Sequence, residues 1–448
     1  MPGTLTARAG PPGCSPAACQ TPGVGSLTDA EARVLAGIDE AWLVDRLCEL
    51  VAVPSVGGSD AESEAQHLVA GWLDGLGADV DAWPSDRAAA AAADDAPGQE
   101  VARAEAWGVV GTVGGAEDGE PALVLCGHTD VVPAGDPALW PADPFTPRIG
   151  DGQLHGRGAC DMKAGVVAAL GVVRALRTAG VRLRRPLAVH SVVGEEDGGL
   201  GAWATLARGH RGAACVIPEP TAGTVMTANA GALTFRLTVR GLAAHGAMRD
   251  AGVSAITLFE HVHAALREFE AQRQAGSAGR FVGTELPYGI SIGRLRAGDW
   301  ASTVPDQLVA EGRYGVRVGE VVGDARTAFE ATVARACAGH PWLSSHPVRV
   351  EWVGGSFASG QLVADSPLLP LVQQAAVDAG GPRPPESAVS AGTDLRLYAA
   401  AGIPTLHLGP GDLRLAHGPQ ESVPIADVVH VTRALALTAL RSCGVVRP

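Results

Sequence analysis

The sequence predicts an α/β fold, in which a larger domain contains a mostly parallel sheet and a smaller α+β domain is inserted into it. Apolar runs bounded by turns, WGVVGTVGG, PALVLCGHTD, PLAVHSVVGEED and AACVIPEP, alternate with helical segments such as GVVAALGVVRAL, which is typical of buried parallel strands. From Thr224 the pattern changes to the alternating apolar and polar residues of half-buried antiparallel strands. The apolar run IPTLHLG then returns near the C-terminus, so the larger domain is predicted to be discontinuous.

Elements of the larger domain come first along the chain. Apolar residues recur at helical spacing over residues 27–50, and Thr28 is a suitable N-cap for that helix. A second helix is predicted over 65–76, followed by a short strand over 78–83. Residues 85–105 are rich in alanine and poor in bulky apolar residues, so we expect a surface excursion without chemistry.

The inserted unit reads as a βαββαβ arrangement, similar to a ferredoxin-like fold. Helices are predicted over 254–269 and 321–338, between strands in LTFRLTVRG, GISIGRLRAG, DQLVAEGRYGVRV and VRVEWVGG. The predicted organisation is a disordered tail (1–28), a larger domain in two parts (29–224 and 356–448) and a smaller inserted domain (225–355).

Composition restricts the partners. The 448 residues carry a formal charge of −14, and no run of five basic residues is present, which argues against nucleic-acid and membrane binding and favours a small-molecule substrate. The N-terminus lacks the apolar core of a signal peptide, and no apolar stretch is long enough to span a membrane. Eight cysteines without a CxxC pair fit a reducing compartment, so a cytoplasmic location is predicted.

Two histidines and several acids stand at the ends of the predicted strands. His128 and Asp130 lie two residues apart in GHTD, so both side chains share one face and the carboxylate can orient the imidazole. Asp161 precedes an apolar helix. Each has a structural alternative, since His128 could be an ordinary turn histidine and Asp161 a helix cap.

A second group of acids follows other apolar runs. Glu195 and Glu196 come directly after one strand and Glu219 ends another, while His417 lies in a loop after the last strand. Adjacent carboxylates raise one another's pKa unless a cation compensates, although acidic surface turns are also common. Imidazole and oxygen donors without thiolates suit Zn²⁺, Mn²⁺ or Co²⁺, and five ligands suffice for two ions when one carboxylate bridges them.

In combination, these motifs resemble the M20 family of metallopeptidases, the group of acetylornithine deacetylases, succinyl-diaminopimelate desuccinylases and carboxypeptidases. The resemblance runs from about residue 43 to residue 424 and rests on motifs in a fixed order: GHTDVVP, GRGACDMKAG, GEED, IPEPT, GLAAHGA, SAGTD and AHGPQE.

The resemblance implies a ligand set for two divalent metal ions, with Zn²⁺ the first expectation and Co²⁺ or Mn²⁺ the alternatives. His128 and Glu219 would hold one ion, Glu196 and His417 would hold the other, and Asp161 would bridge the pair.

It also implies that the larger domain is the metal-binding catalytic domain, that the inserted domain is a lid or dimerisation domain, and that residues around the metals have particular roles. Glu195 would be the general base, Asp130 would orient His128, and His245 would reach the active site of a partner subunit in a homodimer. The substrate would be contacted by Arg313, Gly392 and Thr393. Two positions depart from the family pattern: Ser302 stands where many members have an asparagine, and Glu311 replaces an aspartate.

The implied activity is removal of the acyl group from an N-acyl amino acid by metal-activated water, with acetylornithine and related compounds as the first candidates. Desuccinylase, dipeptidase or carboxypeptidase, and formyl-pyrimidine deformylase activities use the same chemistry and stay open. A metal-free small-molecule binding protein is the alternative from another class. A serine hydrolase is disfavoured because no GxSxG nucleophile elbow is evident.

Overall fold

The computed structural model describes residues 27–85, 96–275, 281 and 284–446. The predicted tail lies outside these residues except for its last two positions, and so does most of the alanine-rich run.

Two large sheets of different kinds and one small three-stranded sheet organise the described chain. The strands are β1 (Asp79–Pro84), β2 (Trp107–Val113), β3 (Leu123–His128), β4 (Arg148–Gly150), β5 (Gln153–His155), β6 (Leu187–Val192), β7 (Cys215–Pro220), β8 (Val225–Asn229), β9 (Gly231–Arg240), β10 (Ile290–Ala297), β11 (Gln307–Val316), β12 (Arg349–Phe357), β13 (Gly360–Gln361), β14 (Glu386–Val389), β15 (Thr405–Gly409) and β16 (Ser422–Pro424).

The helices pack against these sheets. They are α1 (Asp29–Ala36), α2 (Glu40–Ala52), α3 (Ala61–Gly75), α4 (Ala164–Thr178), α5 (Leu200–Ala207), α6 (Ala255–Arg273), α7 (Val322–Ala338), α8 (Leu368–Asp378), α9 (Leu395–Ala400) and α10 (Ile425–Cys443).

The larger sheet has nine strands in the order β1-β2-β6-β3-β7-β15-β8-β13, with β14 also paired to β8. Its centre, β6-β3-β7-β15, is parallel, and antiparallel strands lie towards both edges. This arrangement confirms the predicted α/β class. Because the central strands run the same way, the residues that follow them meet at one edge of the sheet.

Helix α4 shows why the centre is buried on both faces. Twelve of its residues are buried, and it packs on α10 and on strands β3 and β7. The opposite face of the sheet is covered by α9, where Leu395 and Tyr398 pack with Val124 and Ile217. Burial of both faces explains the continuous apolar runs of the sequence.

The smaller sheet is antiparallel, in the order β10-β11-β9-β12, and one face is covered by α6 and α7. Phe235, Tyr314 and Phe329 pack together with tilted rings in its separate core. The chain enters this sheet at β9 and leaves it at β12, where Ala232 and Phe357 are register partners. The domain boundaries stay a prediction, and strand β8 (Val225–Asn229) pairs in the larger sheet although the expected boundary at 225 assigned it to the inserted domain.

The N-terminal helix predicted over 27–50 is wrong as a single element. Thr28 caps α1 as expected, in a reciprocal pair with Glu31, but the helix ends at Gly37. Asp39 then caps α2 by accepting a hydrogen bond from the Trp42 backbone N–H, at 3.2 Å. The side chain of Asp39 starts a new helix because it satisfies a backbone donor that would otherwise be unpaired.

Among the residues that the structure describes, no helix combines the length and apolarity needed to cross a membrane. The six described cysteines are unpaired thiols, and all except Cys48 are buried.

Candidate metal centre and substrate cavity

Six of the predicted site residues come together at one edge of the larger sheet. His128 ends β3, Glu219 lies near the end of β7, and Glu195 and Glu196 follow β6. These are neighbouring parallel strands, so their carboxyl ends bring the side chains into one place. Asp161 enters from the turn before α4. His417 comes from the loop after β15, with a left-handed backbone (φ 62°) that is uncommon outside glycine.

Asp161 faces both imidazoles. Its Oδ1 lies 3.3 Å from His128 Nε2, and its Oδ2 lies 3.5 Å from His417 Nε2. Glu219 Oε1 lies 3.5 Å from His128 Nε2, and Glu196 Oε2 lies 3.1 Å from His417 Nε2. The cluster therefore has two halves, each with one histidine and one glutamate, and Asp161 between them. Asp161 does not cap the helix, since α4 begins only at Ala164.

The tautomer of His128 follows from its neighbours. Its Nδ1 lies 2.9 Å from the backbone carbonyl oxygen of Asp130, which can only accept, so Nδ1 carries the proton and donates. In the neutral ring, Nε2 then presents a lone pair to carboxylate oxygens. Nε2 is buried and has no hydrogen-bond partner in the described chain. A buried lone pair aimed at carboxylates is the arrangement expected of a metal ligand.

Charge in the cluster is unbalanced. Burial, reinforced by Asp161, raises the pKa of Glu219 to about 7 and also raises the pKa of Glu196. Burial acts to raise the pKa of Asp161 as well, but the two imidazoles beside it hold that pKa below its ordinary value. Asp161 and Glu196 in turn raise the pKa of His417 to about 10. Carboxylates outnumber imidazoles here, so bound divalent cations would offset the excess negative charge.

Glu195 lies at the bottom of the cluster, 6 % exposed, with Oε2 4.0 Å from His128 Nε2. Its Oε1 has no hydrogen-bond partner among the described residues. Burial, acting against the attraction of His128, raises the pKa of Glu195 well above its ordinary value. One free carboxylate oxygen in a site open to a cavity is suited to accepting a proton.

The donor set fits divalent metal ions, and two overlapping groups of side chains, which share His128, come close enough together to hold one. His128, Glu195 and Glu219 offer ligand atoms that all lie within 4.8 Å of one another, as do His128, Asp161 and Glu196. Nitrogen and oxygen donors without thiolate suit Zn²⁺, Co²⁺ and Mn²⁺.

Asp130 connects the histidine to the acidic turn. Its Oδ1 lies 3.6 Å from His128 Nδ1, and its carboxylate accepts hydrogen bonds from the backbone N–H groups of Glu195 and Glu196, at 3.4 and 3.2 Å. Asp130 is completely buried. Its side chain therefore positions the turn that carries two site glutamates, in addition to lying beside His128.

A buried ion pair that the sequence pattern did not indicate supports two segments that carry candidate ligands. Arg157 Nη1 and Glu421 Oε2 are 2.5 Å apart, and each side chain is 1 % exposed. Glu421 Oε1 accepts hydrogen bonds from the backbone N–H groups of Cys160 and Asp161, both at 3.1 Å. Arg157 also donates to the carbonyl oxygen of His417, at 3.1 Å. Both residues lie in motifs quoted above, but nothing in the sequence pairs them.

The expectation that residues 85–105 form a surface excursion is wrong for their last part. Arg103 is 4 % exposed and donates to Glu62 and to Asp197, with contacts of 2.7 to 3.2 Å. Asp197 directly follows Glu195 and Glu196, so this pair fixes the acidic turn from its other side. Asp197 also accepts from the backbone N–H groups of Glu100 and Val101.

A cavity of about 750 Å³ lies between the metal cluster and the smaller sheet. The predicted substrate-binding residues Arg313, Gly392 and Thr393 all line it. Arg313 donates to the carbonyl oxygen of Ser390 at 2.6 Å, and within the described chain no carboxylate forms an ion pair with it. Glu311, the replacement for aspartate, instead forms ion pairs with Arg236 and Arg294.

His245 is the predicted site residue that the structure does not bring to the cluster. It precedes a short 3₁₀ segment (Gly246–Ala251), where its Nδ1 accepts a hydrogen bond from the Ala247 backbone N–H. It is not among the residues that line the cavity of its own subunit.

Comparison with known proteins identifies the family. The profile of Peptidase family M20/M25/M40 matches residues 124–441, which is more than half of the chain. The protein belongs to the M20 family. It is therefore a hydrolase of a family whose named relatives act on amide bonds.

Three curated relatives show the range of activities in this group. The chain is 31 % identical to a succinyl-diaminopimelate desuccinylase of Alkalilimnicola ehrlichii over 70 % of this chain and 82 % of the relative. It is 29 % identical to an acetylornithine deacetylase of Myxococcus xanthus (75 % and 84 % covered). It is 26 % identical to an N-formyl-4-amino-5-aminomethyl-2-methylpyrimidine deformylase of Halalkalibacterium halodurans (70 % and 77 % covered).

Solved structures share the fold. A tripeptidase from Staphylococcus aureus superposes with a TM-score of 0.70 at 20 % identity, covering 91 % of this chain and 99 % of that one. A Bacillus subtilis protein described as a dinuclear metal binding peptidase of the M20 family gives 0.61 at 16 % identity, with 91 % and 99 % covered.

Proposed function

We propose that this M20 hydrolase removes the acyl group from an N-acyl amino acid, with acetylornithine and its relatives as the first candidates. One observation carries the proposal: a two-halved cluster of histidines and carboxylates faces a cavity whose opposite wall offers an unpaired arginine, Arg313. The cluster suits amide hydrolysis, and the arginine suits the carboxylate of the amino acid to be released.

The cluster residues that would hold the metals are those implied by the family resemblance. His128 and Glu219 would hold one ion, Glu196 and His417 would hold the other, and Asp161 would contribute to both. Bound zinc, cobalt or manganese supplies Lewis acidity towards water and the amide carbonyl.

In this proposal, Glu195 is the general base and then the general acid. Hydrolysis adds the oxygen of water to the carbonyl carbon and breaks the bond to nitrogen. Glu195 accepts a proton from that water on its free oxygen and gives it to the leaving amine, so that the carboxylate is regenerated. Asp130 holds the backbone of this glutamate in place. Arg313 orients the substrate by binding its carboxylate, and the loop with Gly392 and Thr393 forms the adjoining wall.

In this proposal, the protein is a homodimer and His245 of one subunit contributes to the active site of the other. Because His245 lies away from the cavity of its own subunit, it reaches a reacting carbonyl only from a second copy. Two inactive variants test this idea, Glu195→Gln and His245→Ala, since a mixed dimer would contain one site with both groups intact. Recovery of activity on mixing and re-forming dimers supports the contribution in trans. No recovery, or a monomer in light scattering, contradicts it.

The main test is hydrolysis of N-acetyl, N-succinyl and N-formyl amino compounds and dipeptides by purified protein with Zn²⁺, Co²⁺ or Mn²⁺, and with a chelator. Chelator-sensitive release of acetate from N-acetyl amino acids supports the proposal. Selective hydrolysis of a succinyl, formyl or peptide substrate replaces it with the corresponding branch. Two bound metals without turnover of any N-acyl amino acid contradict it, and a protein that binds no metal favours the binding-protein alternative.

A further inference from the structure

Among the residues that the structure describes, one carboxylate that lines the cavity belongs neither to the metal cluster nor to an ion pair. Two acids line the cavity outside the cluster, Glu100 and Glu311. Glu311 is neutralised by Arg236 at 2.6 Å and Arg294 at 3.4 Å. Glu100 forms no ion pair with any residue that the structure describes, so its negative charge stays available to a ligand.

We propose that Glu100 forms a cation subsite, which selects substrates with an ammonium or guanidinium group. This inference rests on the proposed function in that the cation belongs to the amino acid part of an N-acyl amino acid. The metal cluster binds the amide end of such a substrate, and the subsite acts on its other end. Glu100 lies in the segment to which the sequence pattern assigned no chemistry.

The backbone around Glu100 is fixed. The N–H groups of Glu100 and Val101 donate to Asp197 Oδ2 at 3.0 and 3.1 Å, and Arg103 holds Asp197 in turn. The N–H of Ser356 donates to the carbonyl oxygen of Pro97 at 3.0 Å. The segment is therefore attached both to the acidic turn of the metal site and to strand β12. A carboxylate on such a backbone is pre-organised, which lowers the entropy lost when it binds a ligand.

The side chain of Glu100 is also oriented. Its Oε1 accepts a hydrogen bond from the hydroxyl group of Thr234 on β9, at 2.7 Å. No described residue donates to Oε2, so this oxygen is free to accept from a cation in the cavity.

Arg313 lies on the same wall. Thr234 and Arg313 are directly opposite each other in strands β9 and β11, so their side chains extend from one face of the sheet. The hydroxyl that orients Glu100 thus comes from the cross-strand neighbour of Arg313. One wall offers an unpaired cation beside an unpaired anion, which matches an amino acid with a carboxylate and a second, cationic group.

A purely structural role for Glu100 is the competing interpretation, because the Thr234 bond also links the segment to the smaller sheet. Replacement of Glu100 by Gln separates the two. Glutamine keeps an oxygen that accepts from Thr234 but removes the negative charge. A structural role survives this change, whereas a cation subsite does not.

The kinetic experiment compares Nα-acetyl-L-ornithine with Nα-acetyl-L-norleucine, in which a methyl group replaces the ammonium group at the same chain length. In the wild type we expect kcat/KM to favour ornithine by up to about fivefold, because Glu100 is exposed and ion pairs at exposed positions are weak. In Glu100→Gln this ratio falls towards one, through KM for the ornithine substrate. Glu117→Gln removes an equal charge at an exposed position outside the cavity and keeps the ratio.

A binding experiment tests whether Glu100 forms a cation subsite, and it does not require turnover. L-ornithine and L-norleucine are titrated into the wild type and into Glu100→Gln by calorimetry. Tighter binding of ornithine that depends on Glu100 supports the subsite. If the acetyl compounds are not hydrolysed although ornithine binds in this way, the proposed function fails and the subsite stands. Equal affinities for the two amino acids in the wild type, or an ornithine preference that persists in Glu100→Gln, overturn the subsite.

Discussion

The two walls of the cavity hold their charged residues in different ways. At the edge of the larger sheet, Arg157 and Glu421 form an ion pair in which both side chains are 1 % exposed. On the smaller sheet, the side chains of Arg294 and Arg236 are 81 % and 39 % exposed where they contact Glu311. A buried pair keeps one geometry because breaking it leaves an unpaired charge, whereas an exposed pair is screened and easily replaced. The wall that carries the candidate metal cluster is thus held in one geometry, and the ion pairs of the opposite wall are more easily replaced.

The largest expected effect concerns Glu195, on the fixed wall. Glu195→Gln should lower kcat by about 10²- to 10⁴-fold, because it removes the group that transfers the proton, while the shape of the site is kept. Turnover and metal content by elemental analysis are measured on the same preparation. Loss of metal together with activity would assign Glu195 to metal binding instead, and nearly normal turnover would exclude it as the base.

The next effect tests the support beneath the ligands. Glu421→Gln leaves Arg157 buried without its charge partner and weakens the bonds to the backbone of Asp161. We expect metal affinity to fall by about 10- to 100-fold, as for other residues that orient metal ligands. Competition with a chromogenic chelator measures this change.

An exposed ion pair supplies the control for that variant. Glu49, whose side chain is 45 % exposed, pairs with Arg46 on α2. Glu49→Gln should leave metal affinity unchanged. If both variants bind metal like the wild type, the difference between buried and exposed pairs has no influence on the metal site.

A smaller effect is expected at Arg313, on the wall facing the substrate. Arg313→Lys keeps the charge but loses the planar fork that binds a carboxylate with two hydrogen bonds. KM for N-acyl amino acids should rise by roughly tenfold, with little change in kcat, because binding is weakened in the ground state and the transition state alike. Full kinetic curves for an acid substrate and its methyl ester separate the two constants. An equal effect on the ester would show that Arg313 does not bind the carboxylate.

The smallest effect concerns Glu311, which lies in the exposed pairs. Glu311→Gln should change the free energy of unfolding by less than about 1 kcal/mol, since exposed ion pairs contribute little. Urea titration of the metal-free protein measures it. A loss of several kcal/mol would remove the contrast between the two walls.

Much of the metal site follows from the sequence because its residues stand beside strongly patterned elements. His128, Glu196 and Glu219 each end or follow a buried apolar strand, and parallel strands bring their carboxyl ends together. Local pattern is therefore enough to select them. The class of the fold follows from the same alternation of apolar strands and helices.

The supporting ion pairs could not be predicted in this way. Arg157 and Glu421 are 264 residues apart in sequence, and Arg103 is 41 residues from Glu62. Their pairing depends on how distant segments of the chain pack together, so no local sequence pattern indicates it. The break between α1 and α2 was missed for a different reason, because the side-chain cap of Asp39 interrupts an otherwise continuous helical spacing.

The ends of the segment that builds the smaller sheet lie side by side, with Ala232 opposite Phe357. A segment whose ends meet can be inserted into a gene, or exchanged for another, without separating the strands on either side of it. Such an exchange would replace the wall that we propose to select the substrate, while the residues of the candidate metal cluster keep their positions. The variety of acyl groups among the named relatives is what such an exchange would produce.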